Sequence, residues 1–332
     1  MLQPILKTLF DYQTLSRQQA REILVNITRD SYSKSEVVAF LSVYMMRPVT
    51  VEELSGFRDG LLELRLPVDL SDFDTVDLCG TGGDGKNTFN ISTLASFITA
   101  GAGIKVAKHG NYGVSSGCGS SNMLEALGYR FTNDSDTLRR QIDRAGICFL
   151  HAPLFHPAMK AVAPIRKELG IKTFFNMLGP LVNPSSPQSQ LAGVFDLELA
   201  RLYQYLFQEG DQRFTILHST DGYDEISLTS PFKVITQNGE QLLTAADLKL
   251  PENSTESIQG GHEVAEAAGI FNTILDGKGT AQQNNVVIAN AAFAIQCNRP
   301  ELSIDEALDK ARESLLSGRA KATVKKLLDT QN

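Results

Sequence analysis

Segment 75–107 restricts this chain more than any other. Thr75-Val76-Asp77-Leu78-Cys79 reads as a short strand, and Gly80-Thr81-Gly82-Gly83-Asp84-Gly85-Lys86 follows as a turn. Residues 91–100 have helical spacing that stops at Gly101 and Gly103, and 104–107 form a second strand. Strand, helix and strand in that order make a βαβ unit, and such a crossover implies a parallel sheet. Residues 147–150 and 214–218 are further strand candidates, with helical runs between them. The expected fold class is α/β.

The first seventy residues read differently. Ser16 with Gln19, Ser33 with Glu36, and Thr50 with Glu53 each match a capping box. Apolar residues follow at helical spacing, as in Leu54, Phe57 and Leu61. Pro48 separates the second and third of these helices, and Pro67 ends the series. The expected organisation is a small helical domain over 1–72 and a large α/β domain over 73–332, with a central, largely parallel sheet. A helical segment over 157–178 contains Pro164, so it is expected to bend there or to pack back on the N-terminal helices. On the second of these readings segment 157–185 belongs with the helical domain. Ser303 with Glu306 caps a C-terminal helix.

Composition removes several classes of function. At 332 residues, 42% apolar and 21% charged, the chain can bury a real core. The formal net charge of −7 argues against a nucleic-acid partner, which would favour a basic excess. A small anionic substrate needs only a local basic patch. The N-terminal residues lack the pattern of a signal peptide, and no run of eighteen apolar residues exists, so no membrane association is expected. Cys79, Cys118, Cys148 and Cys297 are scattered without a CxxC pair, which fits a reducing cytoplasm. The five histidines lack metal-ligand spacing, so no zinc site is expected.

The glycine turn supports several readings. Glycines let backbone N–H groups approach an anion, and the start of a helix adds favourable partial charge. A plain tight turn would need one glycine; this one has four in six residues. The turn also fits the dinucleotide fingerprint, which expects an acid at the end of the second strand. Here that strand ends in Lys108-His109, and residues 85–124 contain no Asp or Glu. It also approaches the P-loop pattern, but Asn87 stands where a Mg2+-binding hydroxyl belongs. The acid-free stretch holds Lys86, Lys105, Lys108 and His109 and would tolerate a polyanion. The Gly/Ser-rich run after Asn111 could wrap a ligand or serve as a connector.

Taken together, the motifs resemble those of the anthranilate phosphoribosyltransferases. The resemblance is carried by residues 79–85, by Asn90-Ile91-Ser92-Thr93 and by Lys108-His109-Gly110-Asn111. It continues in His156-Pro157-Ala158-Met159-Lys160, in Val162-Ala163-Pro164-Ile165-Arg166, in residues 176–184, and in Gly222-Tyr223-Asp224-Glu225. It implies the nucleoside phosphorylase/phosphoribosyltransferase type of fold and a homodimer built through the helical domain. It also implies a reaction in which anthranilate displaces pyrophosphate from 5-phosphoribosyl-1-pyrophosphate with Mg2+ bound, a step of tryptophan synthesis. Such chemistry rests on positioning and charge neutralisation.

Carried over by motif, Gly80, Gly83, Asp84 and Thr88 would contact the phosphoribosyl donor. Asn90, Ile91, Ser92 and Thr93 would line its pyrophosphate at the helix start. Lys108, Ser115, Ser116 and Ser120 would hold phosphate groups. Ser92, Asp224 and Glu225 would serve Mg2+. Arg166 would grip the anthranilate carboxylate, with Asn111, His109 and the Gly80 backbone in the same pocket. The chain departs from the commonest pattern at Tyr112-Gly113, Gly117-Cys118 and Ser121-Asn122, where an Arg and a small residue, a polar pair, and Ala-Asp are more usual. Two alternatives stand beside this reading: a nucleoside phosphorylase of the same fold, and a non-catalytic relative that binds nucleic acid.

Overall fold

The computed structural model describes residues 1–113 and 117–331. Four helices open the chain: α1 (Gln3–Phe10), α2 (Arg17–Thr28), α3 (Lys34–Met46) and α4 (Val51–Leu64). Ser16, Ser33 and Thr50 cap α2, α3 and α4, and each cap is a complete capping box. Glu53 extends its box into a hub. Its buried carboxylate accepts two bonds from Arg47 (2.9 and 2.6 Å), the Leu15 N–H (3.0 Å) and the Tyr44 hydroxyl (3.1 Å). Burial alone would raise its pKa, but the bonds from Arg47, Thr50 and Leu15 outweigh burial and hold it below the ordinary carboxylate value.

The larger domain alternates strands and helices. β1 (Thr75–Gly80), α5 (Ile91–Gly101) and β2 (Lys105–Gly110) form the expected βαβ unit. α6 (Ser120–Ala126), α7 (Ser135–Ala145), β3 (Ile147–His151), α8 (Ala152–Phe155) and α9 (Ala163–Leu169) follow. Next come β4 (Ser189–Gly193), α10 (Leu197–Gln208), β5 (Arg213–Ser219), β6 (Phe232–Thr236) and β7 (Gly239–Leu243). The chain closes with α11 (Val264–Leu275), α12 (Ala281–Asn298), α13 (Ile304–Leu316) and α14 (Arg319–Asp329), and Ser303 caps α13 with Glu306.

One seven-stranded sheet runs β3-β2-β1-β4-β5-β6-β7. Its first five strands are parallel, and β6 and β7 add an antiparallel edge. The order reverses at β1, with β2 and β3 on one side and β4 on the other. In open α/β sheets, ligands bind beyond the carboxyl ends of strands at such a reversal. One apolar core joins the sheet to α5, α11 and α12 through Leu94, Phe97, Phe271 and Phe293. A second joins α1 to α4 with α10, through Phe40, Phe57, Phe174, Tyr203 and Phe207. No helix among the described residues is long and apolar enough to cross a membrane.

Segment 157–178 is not one helix. It consists of a 3-10 turn at Pro157–Lys160, α9, and a second 3-10 turn at Phe174–Met177. Pro164 lies in the first turn of α9, where a missing N–H costs little, so it starts a helix instead of bending one. Gly170 ends α9 in the left-handed conformation (φ 66°). Val162, Ile165, Phe174 and Leu178 pack into the core of the N-terminal helices, where the Phe174 and Phe57 rings stack at 4.1 Å.

Candidate active site

β1 and β4 end together, in register at Gly80 and Gly193, and β2 ends at Gly110 on the other side of β1. Gly80 and Gly193 sit side by side in that register, and a loop from beyond β5 crosses them. A Cβ on Gly80 would lie 2.4 Å from Asp224 Oδ2, and one on Gly193 would lie 1.6 Å from the Asp224 carbonyl oxygen. The missing side chains therefore let Asp224 reach the glycine turn. Asp224 Oδ2 accepts the Gly82 N–H at 2.7 Å. Gly82, Gly83 and Gly85 all have φ between 64° and 75°, so the turn does need glycine for its backbone shape.

The next residue, Glu225, accepts the Ser92 N–H at 2.9 Å, at the first turn of α5. Asp84 lies beside both acids and accepts the Lys86 N–H at 2.9 Å. Burial raises the pKa of all three carboxyls, and repulsion among them raises Asp224 and Glu225 further. A cation placed among them would relieve that repulsion. No group of three or more acids, histidines or cysteines among the described residues forms a protein-only metal cage. Mg2+ does not need one, since it takes one or two carboxylates plus water and substrate phosphates.

Cationic and polar groups line the cleft as well. Lys108, buried on β2, donates to the Leu78 carbonyl. Beneath it Asp77 accepts the His109 N–H (3.0 Å) and an Asn183 N–H (2.9 Å); burial pushes its pKa up to about 6. His109 places Nδ1 3.1 Å from the Gly179 carbonyl. A carbonyl can only accept, so Nδ1 carries the proton and Nε2 keeps a bare lone pair. Nε2 is buried and unpartnered among the described residues, and burial pulls the ring's pKa down to about 3.

Arg166, on α9, faces the same cleft. The only hydrogen bond of its guanidinium among the described residues is a long one, 3.4 Å from Nη2 to Asn176 Oδ1, and the group lies 5.4 Å over the Phe175 ring. Burial lowers its pKa, and no carboxylate among the described residues pairs with it. A partly desolvated guanidinium without an anion is a receptor for one.

One cleft of about 310 Å3 gathers these groups. Gly80, Gly83, Asp84, Thr88, Asn90, Ser92, Thr93, Lys108, His109, Asn111, Ser120, Arg166, Asp224 and Glu225 all line it. Ile91 does not: its side chain is buried in the core and its N–H donates to the Phe89 carbonyl at 2.6 Å. Ser115 and Ser116 lie outside the described residues. Sequence reasoning left out Asp84 as a partner of the acid pair and Lys172, which donates to the Gly83 carbonyl. The first was visible as an acid inside a phosphate-type loop; the second had no local signal. A larger cavity of about 890 Å3 opens at the other end of β4 and β5. Its Arg17, Arg58 and Arg213 already pair with Asp59, Glu209 and Asp74, so it presents little free charge to a ligand.

The helical bundle and the mostly parallel sheet beside it both fall within the glycosyl transferase class. The family model "Glycosyl transferase family, a/b domain" matches residues 72–321, and "Glycosyl transferase family, helical bundle domain" matches 3–64. The chain is 61% identical to the anthranilate phosphoribosyltransferase of Flavobacterium psychrophilum, over 97% of this chain and 98% of that one. The anthranilate phosphoribosyltransferase of Thermus thermophilus superposes with a TM-score of 0.91 at 30% identity, covering 98% of each chain. That of Saccharomyces cerevisiae, in complex with PRPP and Mg, gives 0.91 at 28% identity over 99% of this chain and 97% of the other. The chain belongs to the anthranilate phosphoribosyltransferase family, whose reaction moves a 5-phosphoribosyl group from its pyrophosphate to the amine of anthranilate.

Proposed function

We propose that this cleft binds both substrates of that reaction, with the donor across the glycine turn and the start of α5, and anthranilate against Arg166. The observation that carries the reading is the make-up of the cleft. The same cleft is lined by three crowded carboxylates and by a guanidinium with no carboxylate partner among the described residues.

In this reading the backbone at Gly80 and Gly83, with Asp84, Thr88, Asn90, Ser92 and Thr93, receives the phosphoribosyl pyrophosphate; Ile91, turned into the core, takes no part. Lys108, Ser115, Ser116 and Ser120 add phosphate contacts. Asp224, Glu225 and Ser92 hold Mg2+, which neutralises the pyrophosphate as negative charge gathers on it. Arg166 grips the anthranilate carboxylate. Asn111 and the Gly80 backbone line the same pocket. His109 Nε2 accepts a hydrogen bond from the amine, because it is neutral and has no other partner among the described residues. The C1–O bond to pyrophosphate breaks with its electron pair leaving on the pyrophosphate oxygen, the C1–N bond forms, and the proton released by the amine passes to the departing pyrophosphate or to water.

The domain boundary falls between 72 and 73, with 157–185 moving with the helical domain. Phe10, Tyr12 and Met46 are exposed apolar groups on that domain, and they support a homodimer joined there. We place the enzyme in the cytoplasm, as an enzyme of tryptophan biosynthesis. Nothing in the reading requires a nucleic acid or a membrane.

The test is loss of anthranilate fluorescence on adding donor and Mg2+. The expected result is a decay that needs all three components. Turnover of thymidine or uridine with phosphate, and none of anthranilate, would replace this reading with a nucleoside phosphorylase.

A further inference from the structure

We propose that Asn122 is a positioning residue for the phosphoribosyl donor: it ties together the two arms that follow β2 and precede α6, which holds Asn111 and Ser120 in place at the cleft. The inference rests on the reading above that this cleft takes the donor. The chain leaves β2 at Gly110 and returns at α6, whose third residue is Asn122. Its Oδ1 accepts the Gly119 N–H at 3.0 Å, which is an ordinary helix cap. It also accepts the Gly113 N–H at 3.1 Å, and that second bond crosses from the returning arm of the loop to the outgoing arm.

Other bonds point the same way. The Asn111 carbonyl accepts the Ser121 N–H (3.1 Å) and the Ser120 hydroxyl (3.2 Å) between the same two arms. The arms approach so closely that a Cβ on Gly119 would lie 2.1 Å from the Gly113 nitrogen. Outside the arms, the Tyr112 hydroxyl donates to Glu125 at 2.7 Å, and its ring stands edge-on to His151 at 4.9 Å. Fixing these two arms costs conformational entropy, and arms already tied together remove their share of that cost from donor binding. The arms are tied by the oxygen of a neutral amide, inside a stretch with no acidic side chain.

Three roles for Asn122 give different results. A cap alone affects only stability. A direct phosphate contact through Nδ2 would make aspartate worse than alanine, because aspartate adds like charge. Arms tied through Oδ1 let aspartate stand in, because a carboxylate accepts the same two N–H groups.

The experiment uses the full chain with Mg2+ and compares Asn122→Ala with Asn122→Asp. The readouts are KM for each substrate, kcat, the donor Kd by calorimetry, and Tm. We expect Asn122→Ala to weaken donor binding roughly tenfold, with anthranilate KM held and kcat changing less than donor KM. Asn122→Asp should recover most of that loss. Aspartate weaker than alanine, or alanine with a lower Tm and an unchanged donor KM, would overturn the proposal. If Asn122→Ala does not fold, Tyr112→Phe loosens the same arms from outside and should raise donor KM about twofold; an unchanged value would overturn it equally. Failure of the unaltered chain to bind the donor would instead overturn the functional reading, and this inference with it.

Discussion

Glu53 and the Asp224–Glu225 pair are all carboxylates withdrawn from water, yet their surroundings treat them in opposite ways. Glu53 has a guanidinium on both oxygens and backbone N–H groups filling the remaining lone pairs, so its pKa falls. Asp224 and Glu225 have one N–H each, little cationic help and one another, so their pKa rises. The helical domain uses a buried charge to fasten α2, α3 and α4. The strand ends hold buried charges in a state that a cation would relieve. The difference separates a structural acid from one kept for a ligand, and burial alone does not make that distinction.

The largest test of this contrast is Glu53→Ala. It leaves Arg47, Leu15 and Thr50 without their acceptor and should cost roughly 3 kcal/mol in urea unfolding. Activity per folded molecule should stay level. A loss near that of an ordinary cap, about 1 kcal/mol, would reduce Glu53 to its capping box. Next is the double change Asp224→Asn with Glu225→Gln. It should lower kcat/KM about a hundredfold and flatten the Mg2+ titration. Its Tm in metal-free buffer should rise, the sign opposite to that at Glu53. An unchanged metal titration would remove the pair as ligands.

Arg166→Ala tests the guanidinium in the same cleft and should raise anthranilate KM about tenfold while donor KM holds. Equal changes in the two constants would refute the carboxylate role. The smallest effect is the pH slope from Glu53. Its folded pKa lies below the ordinary 4.5, so its contribution is complete above that value and fades as pH falls through the depressed one. Wild type should therefore lose more stability than Glu53→Gln between about pH 5 and about pH 3. Parallel acid-unfolding curves would show that Glu53 is not the group responsible.

Local signals in the sequence were easy to read. The four capping boxes needed only two residues three apart, and β1, β2, β3 and β5 stood out as short apolar runs. β4 did not, because Ser189-Gln190-Leu191-Ala192-Gly193 contains polar groups whose partners are distant: Arg213 and Asn298 bond Ser189, and Asp77 lies within reach of Gln190. β7 is largely exposed and lacks an apolar face, which hid the β6–β7 hairpin. Segment 157–178 read as one helix because its apolar spacing continues across turns that tertiary packing breaks. In the site, family motifs supplied the residue names. The crowding of Asp84 with Asp224 and Glu225, and the tautomer of His109, depend on contacts far apart in the chain.

The two bare strand ends at Gly80 and Gly193 also carry a consequence for how the protein can change over evolutionary time. Each presses on a different atom of Asp224, one on the carboxylate and the other on the main chain. A side chain at Gly193 would force the main chain of the acidic loop to shift, whereas one at Gly80 would force the Asp224 carboxylate to turn away and give up its bond from Gly82. The three residues therefore act as one heritable unit. Loss of Gly193 calls for a rebuilt acidic loop, while loss of Gly80 calls for a new partner for the Gly82 N–H.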